Sequence, residues 1–156
     1  MKRANTIRSA LLLAGLLLGV AGTPQAAEGL ISVKSAHDVP TTVQRLVDTL
    51  GEKGMKVFAV IDHQAGARAA EMDLAPTTVV IFGNPKVGTP LMGCARSVAI
   101  DLPQKALVWQ AEDGSVWLGY NDPQYLNARH GLGDCQGVLD KVKGALSNFA
   151  QAATRP

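Results

Sequence analysis

A chain of 156 residues has the length of one ordinary domain, and its hydrophobic fraction of 47% excludes a disordered or low-complexity polymer. The formal charge of +2 rests on Lys2, Arg3 and Arg8; residues 28–156 carry 12 Lys and Arg against 13 Asp and Glu, a net of −1. A near-neutral domain has no basic stripe of the kind that nucleic-acid binding needs, so nucleic acid is not an expected partner.

The N-terminal segment reads as an address. Cations occupy residues 1–8, residues 9–21 are apolar, and Thr23-Pro24-Gln25-Ala26-Ala27 follows. This is the pattern of a secretory signal over residues 1–27, with an apolar run shorter than the ~20 residues of a membrane-spanning helix. Cleavage after Ala27 places Gln25 where a small residue is preferred, so the exact cut is open between Ala26 and Gly29. The expected location is periplasmic or secreted, with no membrane association after cleavage. In that oxidising setting Cys94 and Cys135, the two cysteines of the chain, read as one structural disulfide. A redox couple or a metal site is the alternative, with no Cys-x-x-Cys spacing behind it.

Leu30–Lys34 reads as a short strand. Asp38 then reads as a helix N-cap with Pro40 in the first turn, and Val39, Val43, Leu46, Val47 and Leu50 form one apolar stripe closed by Gly51 or Gly54. Met55–Ile61 reads as a buried strand, Ala65–Met72 as a short helix, and the β-branched run Thr77–Phe82 as the strongest strand. Gly83-Asn84-Pro85 stops that strand. Thr89 and Pro90 read as the start of the next helix, whose inward face is Leu91, Cys94 or Ala95, and Val98. Residues 106–111 and 115–120 flank Glu112-Asp113-Gly114, a hairpin signal. Asp122 and Pro123 start another short helix, Gly131 and Gly133 break it, and Asp134 reads as the cap of the last helix. That helix presents Val138, Val142, Ala145, Leu146 and Phe149.

Helices at both ends with strands between them argue for a single α+β domain over residues 28–153, built as a two-layer sandwich, with 154–156 as a frayed tail. No Gly-rich phosphate fingerprint follows any strand. Further residues carry a family resemblance: Ile61-Asp62-His63 with Ala65 and Ala67, Phe82-Gly83-Asn84-Pro85, Gly88-Thr89-Pro90-Leu91-Met92, Asp101-Leu102-Pro103, Tyr120-Asn121-Asp122-Pro123, and Tyr125-Leu126 with Arg129-His130. In this order and spacing, over about residues 30–150, they resemble the domain of unknown function 302 family, in an exported branch that carries the two cysteines. The resemblance implies an antiparallel sheet of about five strands with two main helices, in a TATA-binding-protein-like topology. It also implies a homodimer, and it brings no assigned activity and no cofactor.

Candidate site residues follow from position. His63 after Asp62 at a strand end is the sharpest polar feature; it suits a general base or a metal or haem ligand, or simply a turn-bonding residue. Met55 and Met92 as haem partners read instead as core. Ser97 and Ser115 lack a nucleophile elbow, and His130 reads as a helix-end residue facing the dipole. If the last three strands form a meander, Asn84, Asp101, Tyr120, Asn121 and Asp122 gather at one sheet rim with Thr89 beside them, a candidate binding site. In a simple meander His63 lies at the opposite rim. The functional expectation is a non-catalytic module for a small ligand or a protein partner. The alternative is a small enzyme or metal or haem protein using His63.

Overall fold

Residues 27–156 are described by the computed structural model, and the export segment expected over 1–27 lies, apart from Ala27, outside them. Five strands, β1 (Leu30–Ser35), β2 (Lys56–Asp62), β3 (Thr77–Gly83), β4 (Gln104–Gln110) and β5 (Val116–Asn121), form one fully antiparallel sheet in the order β1-β5-β4-β3-β2. Alternation decides which face is covered. Along β3, Thr78, Val80 and Phe82 are buried while Val79 and Ile81 between them are only half-buried. Two helices, α1 (Val39–Glu52) and α5 (Gln136–Thr154), cover the first face. The architecture is the expected α+β two-layer sandwich.

The helices are amphipathic for the reason their spacing gives. On α1, Val39, Leu46 and Leu50 are buried together with Thr42, and Val43 and Val47 pack at the margin. Full burial of a leucine side chain is worth about 1.5–3 kcal/mol, so this stripe holds the helix to the sheet. Thr42 is tolerated in it because its hydroxyl donates to the Asp38 carbonyl at 2.7 Å and accepts from the Ser35 hydroxyl at 2.7 Å. Asp38 caps α1 as expected, accepting from the Thr41 amide at 2.8 Å. The two helices run antiparallel, and Arg45 of α1 donates to the Ala152 and Arg155 carbonyls of the α5 end, both at 3.0 Å. These are carbonyls that a helix end leaves without partners, and a cation suits that end of the dipole.

Five expectations are corrected. β2 is not a buried strand: it forms a sheet edge, and Phe58, Val60 and Ile61 are exposed, because no further strand among the described residues pairs with its outer side. α3 (Pro85–Cys94) begins four residues before Thr89; Asn84 caps it, accepting from the Lys86 amide at 2.9 Å, and Pro90 sits inside the helix. The Asn-Pro pair that stops β3 is itself a cap followed by a first-turn proline. Asp134 does not cap α5: it lies in a 3-10 turn, Gly133–Cys135, and no side chain caps the helix that follows. On α5 the buried face is centred on Leu139, Val142, Leu146 and Phe149, so Leu139 takes the place expected of Val138. The tail expected to fray is tied down: Thr154 is buried, its hydroxyl donates to the Ala150 carbonyl at 2.8 Å, and the Arg155 carbonyl is also 2.8 Å from His37 Nε2.

Candidate functional site

The rim formed by the end of β3, the start of β4 and the start of β2 carries an apolar cleft of about 460 Å³. Helix α3 roofs the cleft, α5 walls it, and the sheet end is its floor. Phe82 and Phe149 meet edge to face there, with ring centroids 6.3 Å apart. Met55, Val87, Leu91, Met92 and Leu102 extend the apolar lining, and Phe58, 48% exposed, stands at the mouth with Lys56 Nζ 5.2 Å from its ring centre. The lining is not wholly apolar: Asn84, Thr89, Gln104 and Lys141 also border it. A cleft of this volume, mostly apolar with a few polar groups at its margin, has the form of a small-molecule site.

Why the space stays open follows from α3. Only Leu91 of this helix is buried. Pro90 in its interior has no N–H to give the Lys86 carbonyl, so the helix cannot tighten into a regular turn there. Its far end is held instead by Cys94, whose Cα is 6.3 Å from that of Cys135, a disulfide-compatible pair. The helix is thus tethered at both ends over the sheet rim, with Leu91 in the core and Val87 and Met92 packed at its margin.

A second polar arrangement lies behind this rim. His130, the last residue of α4 (Pro123–His130), places Nε2 2.6 Å from Asp101 Oδ2 and Nδ1 3.0 Å from Ser97 Oγ. Arg129 Nη1 takes the other Asp101 oxygen at 3.2 Å. The His130 side chain is 5% exposed and that of Asp101 14%. Ser97 belongs to a 3-10 turn, Arg96–Ile100, that follows α3 directly.

The expected rim is present as backbone geometry, since antiparallel pairing puts Gly83, Gln104 and Asn121 at the same end of the sheet. Its side chains nevertheless go separate ways. Asn84 caps α3 and donates from Nδ2 to the Gly54 carbonyl at 3.3 Å. Asp122 caps α4, accepting from the Gln124 amide at 2.9 Å. Tyr120 points into the core at 5% exposure, where burial pushes its phenol up. Asn121 pairs with Leu30 in the sheet, Asp101 faces Arg129 and His130, and Thr89 alone of the group joins Asn84 on the cleft. Asp62 and His63 lie at the opposite rim, because β2 and β3 are antiparallel with Asp62 opposite Thr78. Asp62 caps the short exposed helix α2 (His63–Ala69) through the Ala65 amide at 2.9 Å, and His63 is exposed. Among the described residues no group of three His, Cys, Asp or Glu side chains is placed to hold a metal.

Sequence reasoning missed the cleft and the Ser97–His130–Asp101 arrangement. The apolar lining is indistinguishable from core in a sequence. The available signal was the spacing of Ser97 and Asp101, four residues apart; their partner comes from 29 residues further on and is found only in three dimensions.

Comparison with known proteins gives one family and one fold. The family model described as "Domain of unknown function DUF302" matches residues 31–149. A solved structure titled as an uncharacterized conserved DUF302 protein from Bacillus stearothermophilus superposes with a TM-score of 0.73 at 18% identity, covering 81% of this chain and 99% of that one. A protein of Brucella suis biovar 1 named fluoride-specific ion channel FluC 1 is 47% identical over 114 residues, 73% of this chain and 45% of its own length. The Brucella melitensis protein named fluoride-specific ion channel FluC 2 is also 47% identical, over 42% of its length. The chain spans less than half the length of these curated relatives.

Proposed function

The chain belongs to the family described as domain of unknown function DUF302, and from that premise we propose that it is an exported module that binds a small ligand with an apolar chain. The observation that carries this is the cleft of about 460 Å³ between α3, α5 and the sheet rim, whose lining is aromatic and aliphatic while its polar groups border the chain's path. Burial of an apolar chain there is favourable by about 25 cal/mol per Å² removed from water, and Asn84, Thr89 and Lys141 supply partners for a polar or anionic head. The relatives named fluoride-specific ion channels carry a similar segment over less than half their length. An acyl chain is the ligand class that the cleft lining fits. His63, exposed at the far rim, belongs to no group of three His, Cys, Asp or Glu side chains among the described residues.

Titration with a fluorescent fatty acid tests this reading. Saturable one-to-one binding is expected, and Ala99→Trp, which places an indole at the cleft wall from an exposed position, should abolish it with the fold intact. Non-saturable binding, or binding indifferent to Ala99→Trp, would overturn it. Among the described residues the sheet face opposite α1 and α5, with Val79, Ile81, Leu107, Trp109 and Trp117 half-buried, offers a surface for the homodimer that the family resemblance implies. Light scattering that finds a monomer at micromolar concentration would remove it.

A further inference from the structure

We propose that Ser97, His130 and Asp101 form an acyl-transfer site in which Ser97 is the nucleophile toward carboxylic esters. The substrate class, esters whose apolar chain lies in the cleft, rests on the ligand reading above; the nucleophile does not. The contact geometry assigns the roles. A carboxylate accepts only, so the His130 Nε2 that lies 2.6 Å from Asp101 Oδ2 carries the hydrogen between them. In the neutral ring this leaves a lone pair on Nδ1, 3.0 Å from Ser97 Oγ, so the hydroxyl donates to the imidazole. This is the state a general base needs. The two ring nitrogens are exchanged relative to the serine-protease template, which changes no proton count, and such sites are recognised by geometry and roles rather than by order.

The surroundings support that use. The base and its anchor are shielded, with side chains 5% and 14% exposed, while the nucleophile is exposed to an arriving substrate. Arg129 holds the second Asp101 oxygen at 3.2 Å and fixes the carboxylate toward the ring. Among the described residues the Ser97 hydroxyl has His130 Nδ1 as its hydrogen-bond partner and makes none to the backbone. Val98, fully buried, anchors that turn, and Ala99 and Leu102, neighbours of the relay in sequence, line the cleft.

In the reaction the Ser97 oxygen bonds to the ester carbonyl carbon as its proton passes to His130 Nδ1, and the carbonyl π pair moves onto its oxygen. Asp101 stabilises the resulting imidazolium through Nε2–H. Collapse of the tetrahedral species breaks the bond to the alcohol oxygen, and the alcohol leaves with the proton from Nδ1. Water then cleaves the acyl-serine by the same steps, so ester and water give acid and alcohol with Ser97 restored.

The test is labelling of the mature chain, native in its periplasmic form, with a short-chain alkyl fluorophosphonate read by intact mass and peptide mapping. One adduct is expected, on Ser97, with loss of fluoride. Ser97→Ala should give none; as an exposed position it leaves the fold unchanged. His130→Gln and Asp101→Asn should slow labelling by about 10²–10⁴-fold, the usual share of a positioned base, while thermal melting confirms that they are folded. Absence of the Ser97 adduct in the wild type, or equal rates in folded His130→Gln, overturns the proposal. Hydrolysis of p-nitrophenyl octanoate over the acetate, reversed by Ala99→Trp, supports the substrate class. An adduct on Ser97 without that preference overturns the substrate class and keeps the nucleophile, whereas fatty-acid binding without any adduct overturns the nucleophile alone.

Discussion

Tyr120 and Gly29 show how single residues on either side of the β1–β5 pair carry measurable consequences. Burial pushes the Tyr120 phenol up; the nearby Ser147 hydroxyl offsets part of the rise, and the Asp122 charge adds to it. The folded chain therefore keeps this proton to higher pH than the unfolded chain, where tyrosine titrates near about 10. Stability from this group is complete below that value and falls as pH rises from there through the folded value. Denaturant unfolding at a series of pH values up to 11 should show wild type losing stability faster than Tyr120→Phe; parallel curves would contradict the argument. Gly29 holds a positive φ of 77°, and any Cβ there would stand 2.4 Å from the Tyr125 ring. Gly29→Ala should cost at least about 1–2 kcal/mol from backbone conformation alone, measured as a lowered denaturation midpoint, and an unchanged midpoint would refute it. At this scale the sequence was legible where chemistry is local: Asp38 and Asp122 are caps because each precedes a proline-bearing first turn. Asp134 lacks such a proline and does not cap, since the chain makes a 3-10 turn before α5 begins.

Elements were legible in type more than in surroundings. The alternation of β3 and the stripe of α1 are strong periodic signals, and both elements form where expected. β2 has the same apolar content as a central strand, but content does not tell an edge from a centre; only pairing does. α3 was misplaced because two Pro positions, 85 and 90, both suit a first turn, and the side chain of Asn84 decides between them. The tether of this helix makes a prediction. Cys94 and Cys135 enclose a segment with a separation of 41 residues, for which chain entropy gives roughly 3–4 kcal/mol. The Cys94→Ala/Cys135→Ala variant should melt about 10 °C lower. Because α3 roofs the cleft, the variant should also bind fatty acid more weakly below its melting point. Equal melting temperatures for oxidised wild type and variant would show that the bond does not form or does not matter.

For the molecule as a whole, one sheet face is covered by α1 and α5, and the ligand-sized space lies where that cover gives way to α3. The sequence made the layers legible through their periodicity and the β4–β5 pairing legible through the Asp113-Gly114 turn. It did not reveal the cleft, whose walls are the same apolar side chains that fill a core. Nor did it bring Ser97, Asp101 and His130 together, since their meeting depends on how α4 packs against the turn after α3. Export belongs to this scale as well. Mass spectrometry of the protein from its host should find a chain starting between about Ala26 and Gly29, and an intact Met1 in the membrane fraction would contradict it. A crystal structure of residues 28–156 with a fatty acid tests most directly whether the cleft under α3 holds an apolar chain. The chain is expected between Phe82, Met92 and Phe149 with its carboxylate toward Asn84, Thr89 or Lys141. A fatty acid bound elsewhere, or α3 closed down onto α5 with no space between them, would contradict it.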